Sequence, residues 1–294
     1  MVKTAFSIVD VFAEEKYAGN QLAVMKNGQA LTTPQMQRIA NEMHFSETTF
    51  ICSPKQSNGG YDVRIFTPAI EVPFAGHPTL GTAHVIRQNG GRPKPETVIL
   101  NLKVGQIPVT FKADNAGNEV AWMKQKTPTF SRTFEPRDFC QVLNLAEADI
   151  SRDFPIQEVS TGLAFIIVPL KTLDAIKRAR VNYDAQLSLL KENQAGILVF
   201  APQTYKKEND LNVRVFVDAY GITEDPATGS GNGCLAAYLA KRTFFGTSKV
   251  NARVEQGCEI GRPSLLQLQA EEIRGLIEVS VGGRVIPVAE GELA

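Results

Sequence analysis

Two stretches of the chain share the same order of features, and this repeat restricts the possible folds more than any other property of the sequence. Residues 61–66 alternate apolar and polar side chains with Arg64 among the polar ones, and residues 212–217 do the same with Arg214. Strict alternation predicts a half-buried β-strand. Each stretch is followed by a short turn and then by small residues that predict a helix start. We therefore expect an internal duplication of a domain-sized unit.

The two predicted helices that follow these strands lack charged residues. No Asp, Glu, Lys or Arg occurs at residues 74–86 or at residues 226–240. A helix without a charged face is usually buried on all sides. Short strands around one buried helix predict a barrel or a strongly curved sheet wrapped round it. We expect an α+β protein with two homologous lobes, each a β-barrel around a central α-helix.

The spacing of the repeat also places the two lobes along the chain. Arg64 precedes Thr79 by 15 positions, and Arg214 precedes Thr228 by 14. A chain of 294 residues is long enough for two domains. We expect an N-terminal lobe at residues 1–125, completed by 277–294, and a C-terminal lobe at 126–276. Within this division, residues 124–136 form the predicted crossover.

Further short β segments and two ordinary helices complete the prediction. Thr33 is the predicted N-cap of an amphipathic helix with Pro34 in its first turn, and a second helical stretch covers residues 136–143. Strand candidates, separated by turn residues, lie at 6–12, 21–25, 61–67, 97–103, 106–111, 119–123, 162–170, 196–201, 212–218, 249–255, 265–269, 276–281 and 284–288.

Composition excludes several functional classes. Lys plus Arg and Asp plus Glu both number 31, and this zero net charge argues against a general nucleic-acid or membrane-surface binder. The chain has three histidines and four cysteines without a C-x-x-C pair, and this spacing argues against a zinc site built from His and Cys. No signal peptide or 18-residue apolar run is found, so we expect a cytoplasmic protein with reduced cysteines, no membrane partner and no bound metal.

The two glycine-rich helix starts are candidate anion sites. Backbone N–H groups and the positive end of the helix dipole at Gly76 and at 229–231 suit a carboxylate or a phosphate. The alternative is that these glycines only allow close packing of a helix inside a barrel. Nucleotide-loop and nucleophile-elbow motifs fit the 229–233 segment poorly, because G-x-G-x-G departs from each consensus.

Three side chains are candidates for proton chemistry, each with a structural alternative. His77 lies immediately before a predicted helix N-terminus, where the dipole disfavours its protonated form, and it either assists a substrate or caps the helix. Asp225 either contacts a substrate or caps the second helix. Glu47 is the one acid in the apolar segment 45–51, and it either lies at a strand end in water or serves as a general base in a cleft. His84 and His44 are interpreted as structural.

Several motifs, taken in order, resemble one known family over nearly the whole chain. They are Val9–Phe12, Gly19–Val24, Phe45–Thr48, Arg64–Pro68, Glu71–Gly81, Glu224–Ser230, Gln256–Gly257 and Gly261–Ser264. On these residues the chain resembles the PhzF-like family of phenazine biosynthesis, which has the diaminopimelate epimerase-like fold. The resemblance implies an isomerase that needs no cofactor and moves a proton on a dihydro-hydroxyanthranilate-like substrate in the cleft between the lobes.

The same resemblance implies roles for individual residues. Glu47 matches the glutamate that moves the proton, while His77 and Asp225 match groups that assist it. Asn20, Gly76, Thr79, Gly229, Ser230 and Gly231 are the expected substrate-binding residues. The expected partner is a small carboxylate, and the expected assembly is a homodimer.

Two alternatives to an isomerase remain open from the sequence. One is an amino-acid epimerase or racemase on the same scaffold, and the other is a small-molecule binding or interaction protein without turnover. Related epimerases use two cysteines, which are absent at the matching positions here, so a two-thiol racemase is disfavoured. Gln21 and residues 231–233 depart from the usual family pattern and leave the substrate open.

Overall fold

The computed structural model describes residues 3–191, 195–217 and 222–293. Its strands are β1 (Thr4–Val11), β2 (Asn20–Met25), β3 (Glu47–Ile51), β4 (Gly60–Phe66), β5 (Glu71–Val72), β6 (Thr97–Leu102), β7 (Gly105–Ala113), β8 (Glu119–Lys124), β9 (Thr129–Phe134), β10 (Ile156–Ser160), β11 (Ala164–Pro169), β12 (Gly196–Ala201), β13 (Leu211–Val217), β14 (Ile222–Asp225), β15 (Lys249–Gln256), β16 (Ser264–Ile273), β17 (Leu276–Gly283) and β18 (Val285–Leu293). Its α-helices are α1 (Thr33–Met43), α2 (Gly76–Asn89), α3 (Pro136–Leu143), α4 (Leu173–Arg178), α5 (Tyr183–Leu190) and α6 (Gly229–Lys241).

The chain divides into two compact units. The first unit contains residues 1–124 and 282–294, and the second contains residues 125–281. The last strand therefore returns to the first unit, where β18 pairs antiparallel with β1. Residue 218, which ends the predicted strand 212–218, lies outside the described residues.

Strand pairing follows one pattern in both units. In the first unit, β18–β1 and β1–β2 are antiparallel, β2–β3 is parallel, β3–β4 is antiparallel, β4–β6 is parallel and β6–β7 is antiparallel. In the second unit β9–β10, β10–β11, β11–β12, β12–β13, β13–β15 and β15–β16 repeat that series in the same order. The predicted duplication of a β-rich lobe is therefore confirmed.

The two helices that contain the uncharged segments, α2 and α6, are the central elements of the two units. Helix α2 contacts β1, β2, β3, β6, β7, β8 and β18. Helix α6 contacts β10, β11, β12, β15 and β16. Residues 76–86 of α2 are all buried, as are residues 231–240 of α6. The absence of charge in these buried segments is explained by their burial, because burying an unpaired charge is costly. The charged residues of the two helices, Arg87 and Lys241, lie in the last turns.

The outer faces of the sheets are covered by the remaining helices. In the first unit α1 connects the parallel strands β2 and β3, and Met36 and Ala40 pack with Phe50 and Phe66. In the second unit α4 and α5 follow β11 and precede its parallel partner β12 along the chain. Their apolar residues join those of α3 in a buried cluster. Each parallel pair thus has the helical crossover that parallel strands require.

The first turn of α1 differs from the prediction by one residue. Its N-cap is Thr32 rather than Thr33, and the Gln35 side chain accepts a hydrogen bond from the Thr32 backbone N–H at 2.8 Å. This arrangement is a capping box, which stabilises the helix start better than a lone hydroxyl at Thr33 would. At the other end His44 adopts a left-handed conformation and accounts for the helix stop.

Candidate active site

Glu47 begins strand β3 in the first unit. It lies opposite Leu22 in the parallel β2–β3 pair, and its side chain retains 16% of its exposure. The residues that follow it, Thr48 to Phe50, are fully buried. The single acid of this apolar segment is therefore at the strand end, where a carboxylate keeps limited access to solvent while the strand enters the core.

His77 occupies the first turn of α2, directly beside Glu47. Its Nε2 lies 3.5 Å from Oε2 of Glu47, and the imidazole is 6% exposed. The two side chains meet because α2 packs against β3 inside the same unit. The contact is longer than an ordinary hydrogen bond, and His77 Nε2 has no hydrogen-bond partner among the described residues.

The imidazole of His77 is held in its neutral form. Burial lowers the pKa of His77 to about 3, and this effect outweighs a hydrogen bond to the backbone of Gln21, which acts in the opposite direction. The nearby helix N-terminus also disfavours a positive charge. Because Nε2 lacks a partner, the bond to Gln21 involves Nδ1 as donor, which leaves the lone pair on Nε2. His77 therefore presents a hydrogen-bond acceptor toward Glu47.

The other predicted residues of the first unit surround the start of α2 and β2. Asn20 is buried at the first position of β2, opposite Val11. Gly76 is the first residue of α2, whose N-cap Ala75 has no side chain able to cap. The Thr79 hydroxyl donates to the Ala75 carbonyl oxygen at 2.7 Å. The first N–H groups of α2 have no acceptor within the helix, as in every helix, and no capping side chain is supplied.

In the second unit Asp225 ends strand β14, close to the start of α6. Its side chain is largely buried, and its Oδ2 accepts a hydrogen bond from the Thr228 hydroxyl at 2.5 Å. The preceding residue Glu224 forms a two-fold hydrogen-bonded ion pair with Arg214 on β13, with distances of 2.9 and 2.7 Å. This pair fixes β14 against β13 and so fixes the backbone at Asp225.

A buried amide network supports the same loop. The Gln256 amide nitrogen donates to the backbone oxygen of Asp225 at 2.8 Å and to Thr228 Oγ1 at 3.0 Å. The Gln256 amide oxygen accepts from the Thr228 backbone N–H at 3.2 Å and from the Asn232 amide at 2.8 Å. Gln256 and Asn232 are completely buried, so the network fixes the turn between β14 and α6.

The glycine-rich start of α6 combines packing with an open helix end. Gly229, Ser230 and Gly231 are its first three residues, and only Ser230 among them is partly exposed. A Cβ at Gly231 would lie 3.3 Å from Phe165 and 3.4 Å from Leu198. Packing at Gly231 is therefore tight but leaves room for small adjustments of these side chains, and its backbone N–H belongs to the first helical turn.

The structure brings together some of the predicted residues inside each unit. In the first unit Glu47 contacts His77, and in the second Asp225 lies beside the start of α6. Sequence reasoning missed the roles of Thr228, Asn232 and Gln256 in the second set. Gln256 belonged to a matching motif, but its partner residues depend on the β13–β15 and β15–β16 registers, which local sequence does not reveal.

The cysteines are not arranged for acid–base chemistry. All four lie in described parts of the chain and form no disulfide. Burial raises the pKa of the Cys234 thiol to about 11, so this cysteine inside α6 is not a thiolate near neutral pH. This result supports the expectation that a two-thiol racemase is disfavoured. No helix in the described ranges is long and apolar enough to cross a bilayer.

Comparison with known proteins agrees with the fold and shows the family. Residues 9–291 match the family described as "Phenazine biosynthesis-like protein". The trans-2,3-dihydro-3-hydroxyanthranilate isomerase of Pseudomonas fluorescens is 34% identical over 292 residues, covering 98% of each chain. The crystal structure of a PhzF-family phenazine biosynthesis protein from Bacillus anthracis covers both chains completely, with a TM-score of 0.92 and 28% identity.

A more distant structure extends the likeness in fold alone. A hydroxyproline epimerase from Agrobacterium vitis has a TM-score of 0.64 at 9% identity, covering 99% of this chain and 91% of its own. The predicted epimerase-like fold is thus confirmed. The family match over nearly the whole chain and the strong sequence identity to a named isomerase lead to one conclusion: this chain is a PhzF-like isomerase of the phenazine biosynthesis-like family.

Proposed function

We propose that this isomerase shifts a proton between two carbon atoms of a small substrate bearing a carboxylate, without a cofactor, and that Glu47 is its general acid/base. The substrate class is that of the relative named trans-2,3-dihydro-3-hydroxyanthranilate isomerase. The observation that carries the proposal is the 3.5 Å approach of Glu47 Oε2 to Nε2 of the neutral, buried His77.

A single carboxylate is sufficient for the whole reaction. An isomerisation changes neither the oxidation state nor the number of protons of the substrate. Glu47 removes a proton from an activated C–H bond and returns one to another carbon, so that it starts and ends as a carboxylate. A well-placed general base contributes about 10²- to 10⁴-fold to the rate. Stabilisation of the delocalised negative charge in between must supply the rest.

The neighbouring groups suit the polar parts of such a substrate. His77 Nε2 is an acceptor, so we assign it to an amine or hydroxyl hydrogen of the substrate. Asp225 receives the same kind of role from the second unit. We assign the substrate carboxylate to the helix starts at Gly76 and at Gly229, Ser230 and Gly231, with Asn20 and Thr79 completing the binding set. The family resemblance is the reason for assigning both sets to one substrate molecule.

The function is tested by turnover of defined compounds. The purified protein is incubated with trans-2,3-dihydro-3-hydroxyanthranilate and with related unsaturated cyclic carboxylates, and ¹H NMR follows each ring C–H signal. We expect one C–H signal to disappear while another appears elsewhere in the ring. Inversion at one carbon with a change in optical rotation would instead identify an epimerase. Binding in calorimetry without any chemical change would identify a binding protein.

Two further properties are proposed with this function. We expect a homodimer, and light scattering coupled to gel filtration should give twice the 32.1 kDa chain mass. A mass equal to one chain would contradict this. We also place the protein in the cytoplasm, and fractionation of the source cells with antibody detection tests that location.

A further inference from the structure

Thr228 is placed as the N-cap of α6 but does not cap it. Threonine is a favoured N-cap because its hydroxyl accepts from an N–H group in the first turn. Among the described residues, no N–H group of the first turn of α6 donates a hydrogen bond to the Thr228 side chain. Its Oγ1 lies instead 2.5 Å from Asp225 Oδ2 and 3.0 Å from the Gln256 amide nitrogen. The hydroxyl is therefore committed to Asp225 and Gln256.

The orientation of the Gln256 amide is determined by backbone groups of fixed polarity. One end of the amide lies 2.8 Å from the Asp225 carbonyl oxygen, which can only accept, so that end is the NH₂ group. The other end lies 3.2 Å from the Thr228 backbone N–H, which can only donate, so that end is the oxygen. The Asn232 amide donates to the same oxygen.

The direction of the Thr228 hydroxyl bond follows from this orientation. Because the Gln256 NH₂ group can only donate, Thr228 Oγ1 is the acceptor in that bond. The single proton of the hydroxyl is then directed at Asp225 Oδ2. A donor aimed at one carboxylate oxygen favours the charged form of the acid and holds its rotamer.

We propose that Thr228 is a positioning residue for Asp225, and that Gln256 sets the direction in which the Thr228 hydroxyl donates. This inference rests on the proposed function, since it assigns Asp225 a fixed, ionised carboxylate that accepts a hydrogen bond from substrate. Thr228 and Asp225 are each 8% exposed as whole residues, and Gln256 is fully buried. Inside such a site a misdirected hydroxyl would remove the hydrogen bond from Thr228 to Asp225 Oδ2.

The test compares Thr228→Val, which removes the hydroxyl at nearly constant volume, with Thr228→Ser, which keeps it. We expect kcat/KM to fall about 10- to 100-fold in the valine variant, as for loss of a hydrogen bond to a charged group, and to recover to within about 3-fold in the serine variant. The acid limb of the pH–rate profile should move to higher pH for valine only. Equal profiles for the two variants would overturn the proposal.

A double-mutant cycle separates positioning from a general structural effect. If Thr228 acts through Asp225, then adding Thr228→Val to Asp225→Asn should reduce the rate no further. A full additional loss in the double variant would overturn the proposal. Thr82→Val is the matched control, because Thr82 is also a buried threonine in a helix region and its hydroxyl donates to the Pro78 carbonyl in the first unit. It should lower thermal stability but leave the pH–rate profile unchanged.

A measurement without substrate separates this inference from the proposed function. With ¹³C-labelled aspartate, the Asp225 carboxyl signal is identified by its loss in Asp225→Asn, and its titration midpoint is followed by NMR. We expect the midpoint to rise in Thr228→Val and to stay unchanged in Thr228→Ser. An unchanged midpoint in the valine variant would overturn the inference, whether or not the substrate class is correct. Failure of the proposed function alone would leave the midpoint shift intact.

Discussion

His77 and Glu47 face each other across 3.5 Å, with a neutral imidazole nitrogen opposite a carboxylate oxygen. The two residues come from a helix start and a strand start that the folding of the first unit brings together. A buried imidazolium beside Glu47 would stabilise its charge and weaken it as a base. The low pKa of His77 removes that effect and leaves an acceptor in place.

The protonation state of His77 is directly measurable. Burial lowers the pKa of His77 to about 3, so ¹⁵N NMR should show a neutral ring at pH 5, with the proton on Nδ1. The three histidines of the chain make assignment by single substitution straightforward. A protonated His77 at pH 5 would contradict the account of the site.

The same shift makes the stability of the protein depend on pH. In the unfolded chain a histidine binds a proton near pH 6.5, while folded His77 does so only near pH 3. Between these two pH values the unfolded chain binds a proton at His77 and the folded chain does not. The free energy of unfolding therefore falls by up to about 1.4 kcal/mol for each unit that the pH falls in this range. Urea titrations should show a shallower decline in His77→Asn. Parallel curves for the two proteins would argue against a buried neutral imidazole.

The two units contain matching ion pairs that differ in burial. Arg214 and Glu224 are 4% and 9% exposed at their side chains, and Arg64 and Glu71 are 29% and 15% exposed. Arg214→Met leaves Glu224 buried without its partner and also removes donors from the Ile176 and Ala179 carbonyls. We expect a loss of about 3–5 kcal/mol in the free energy of unfolding. Arg64→Met should cost less, and equal losses would contradict the role given to burial.

The more exposed pair predicts a second pH effect of known sign. The hydrogen bond from Arg64, assisted by Lys103, lowers the pKa of Glu71 to about 2. Glu71 therefore stabilises the fold above its ordinary pKa of 4.5, and this contribution is lost as the pH falls toward 2. The difference in unfolding free energy between the native protein and Glu71→Gln should shrink across that range. A difference that is constant with pH would disprove the shift.

Gly81 in the middle of α2 should not tolerate a side chain. A Cβ there would lie 2.5 Å from Leu22 Cδ2 and 2.9 Å from Val11 Cγ2. We expect Gly81→Ala to destabilise the protein by about 1–3 kcal/mol through overpacking, in spite of the better helix propensity of alanine. Gly231→Ala in α6 is the matched comparison, because its Cβ contacts begin at 3.3 Å, where the neighbouring side chains need to move by only a few tenths of an ångström. A larger loss for Gly231→Ala in urea titrations would contradict this packing argument.

Elements with strong local signals were predictable from the sequence. Helix α3 occupies Pro136–Leu143 as predicted, and β12 occupies Gly196–Ala201, because a proline start and a continuous apolar run mark their ends. The uncharged segments 74–86 and 226–240 also indicated the duplicated architecture, since a helix buried on every side has no charged face.

The elements that were missed depend on partners far away in the chain. Strand β9 lies inside the predicted crossover at 124–136, is mostly exposed and forms by pairing with β10. Helices α4 and α5 are short and pack against a buried cluster, although their N-caps Thr172 and Asn182 were available as signals. In the site, the Gln256 network escaped prediction for the same reason, because tertiary register brings its members together.

Glu47 is the residue that we propose moves the proton, and its substitution tests this role most directly. We compare three proteins in D₂O with the substrate identified by the turnover assay. They are the native protein, the Glu47→Gln variant and a Glu42→Gln control at an exposed position of α1. NMR then follows both product formation and deuterium at the receiving carbon. We predict that the native protein and the control give the deuterated product, while Glu47→Gln loses at least about 100-fold in rate. Turnover and deuterium incorporation in Glu47→Gln equal to those of the native protein would contradict the account.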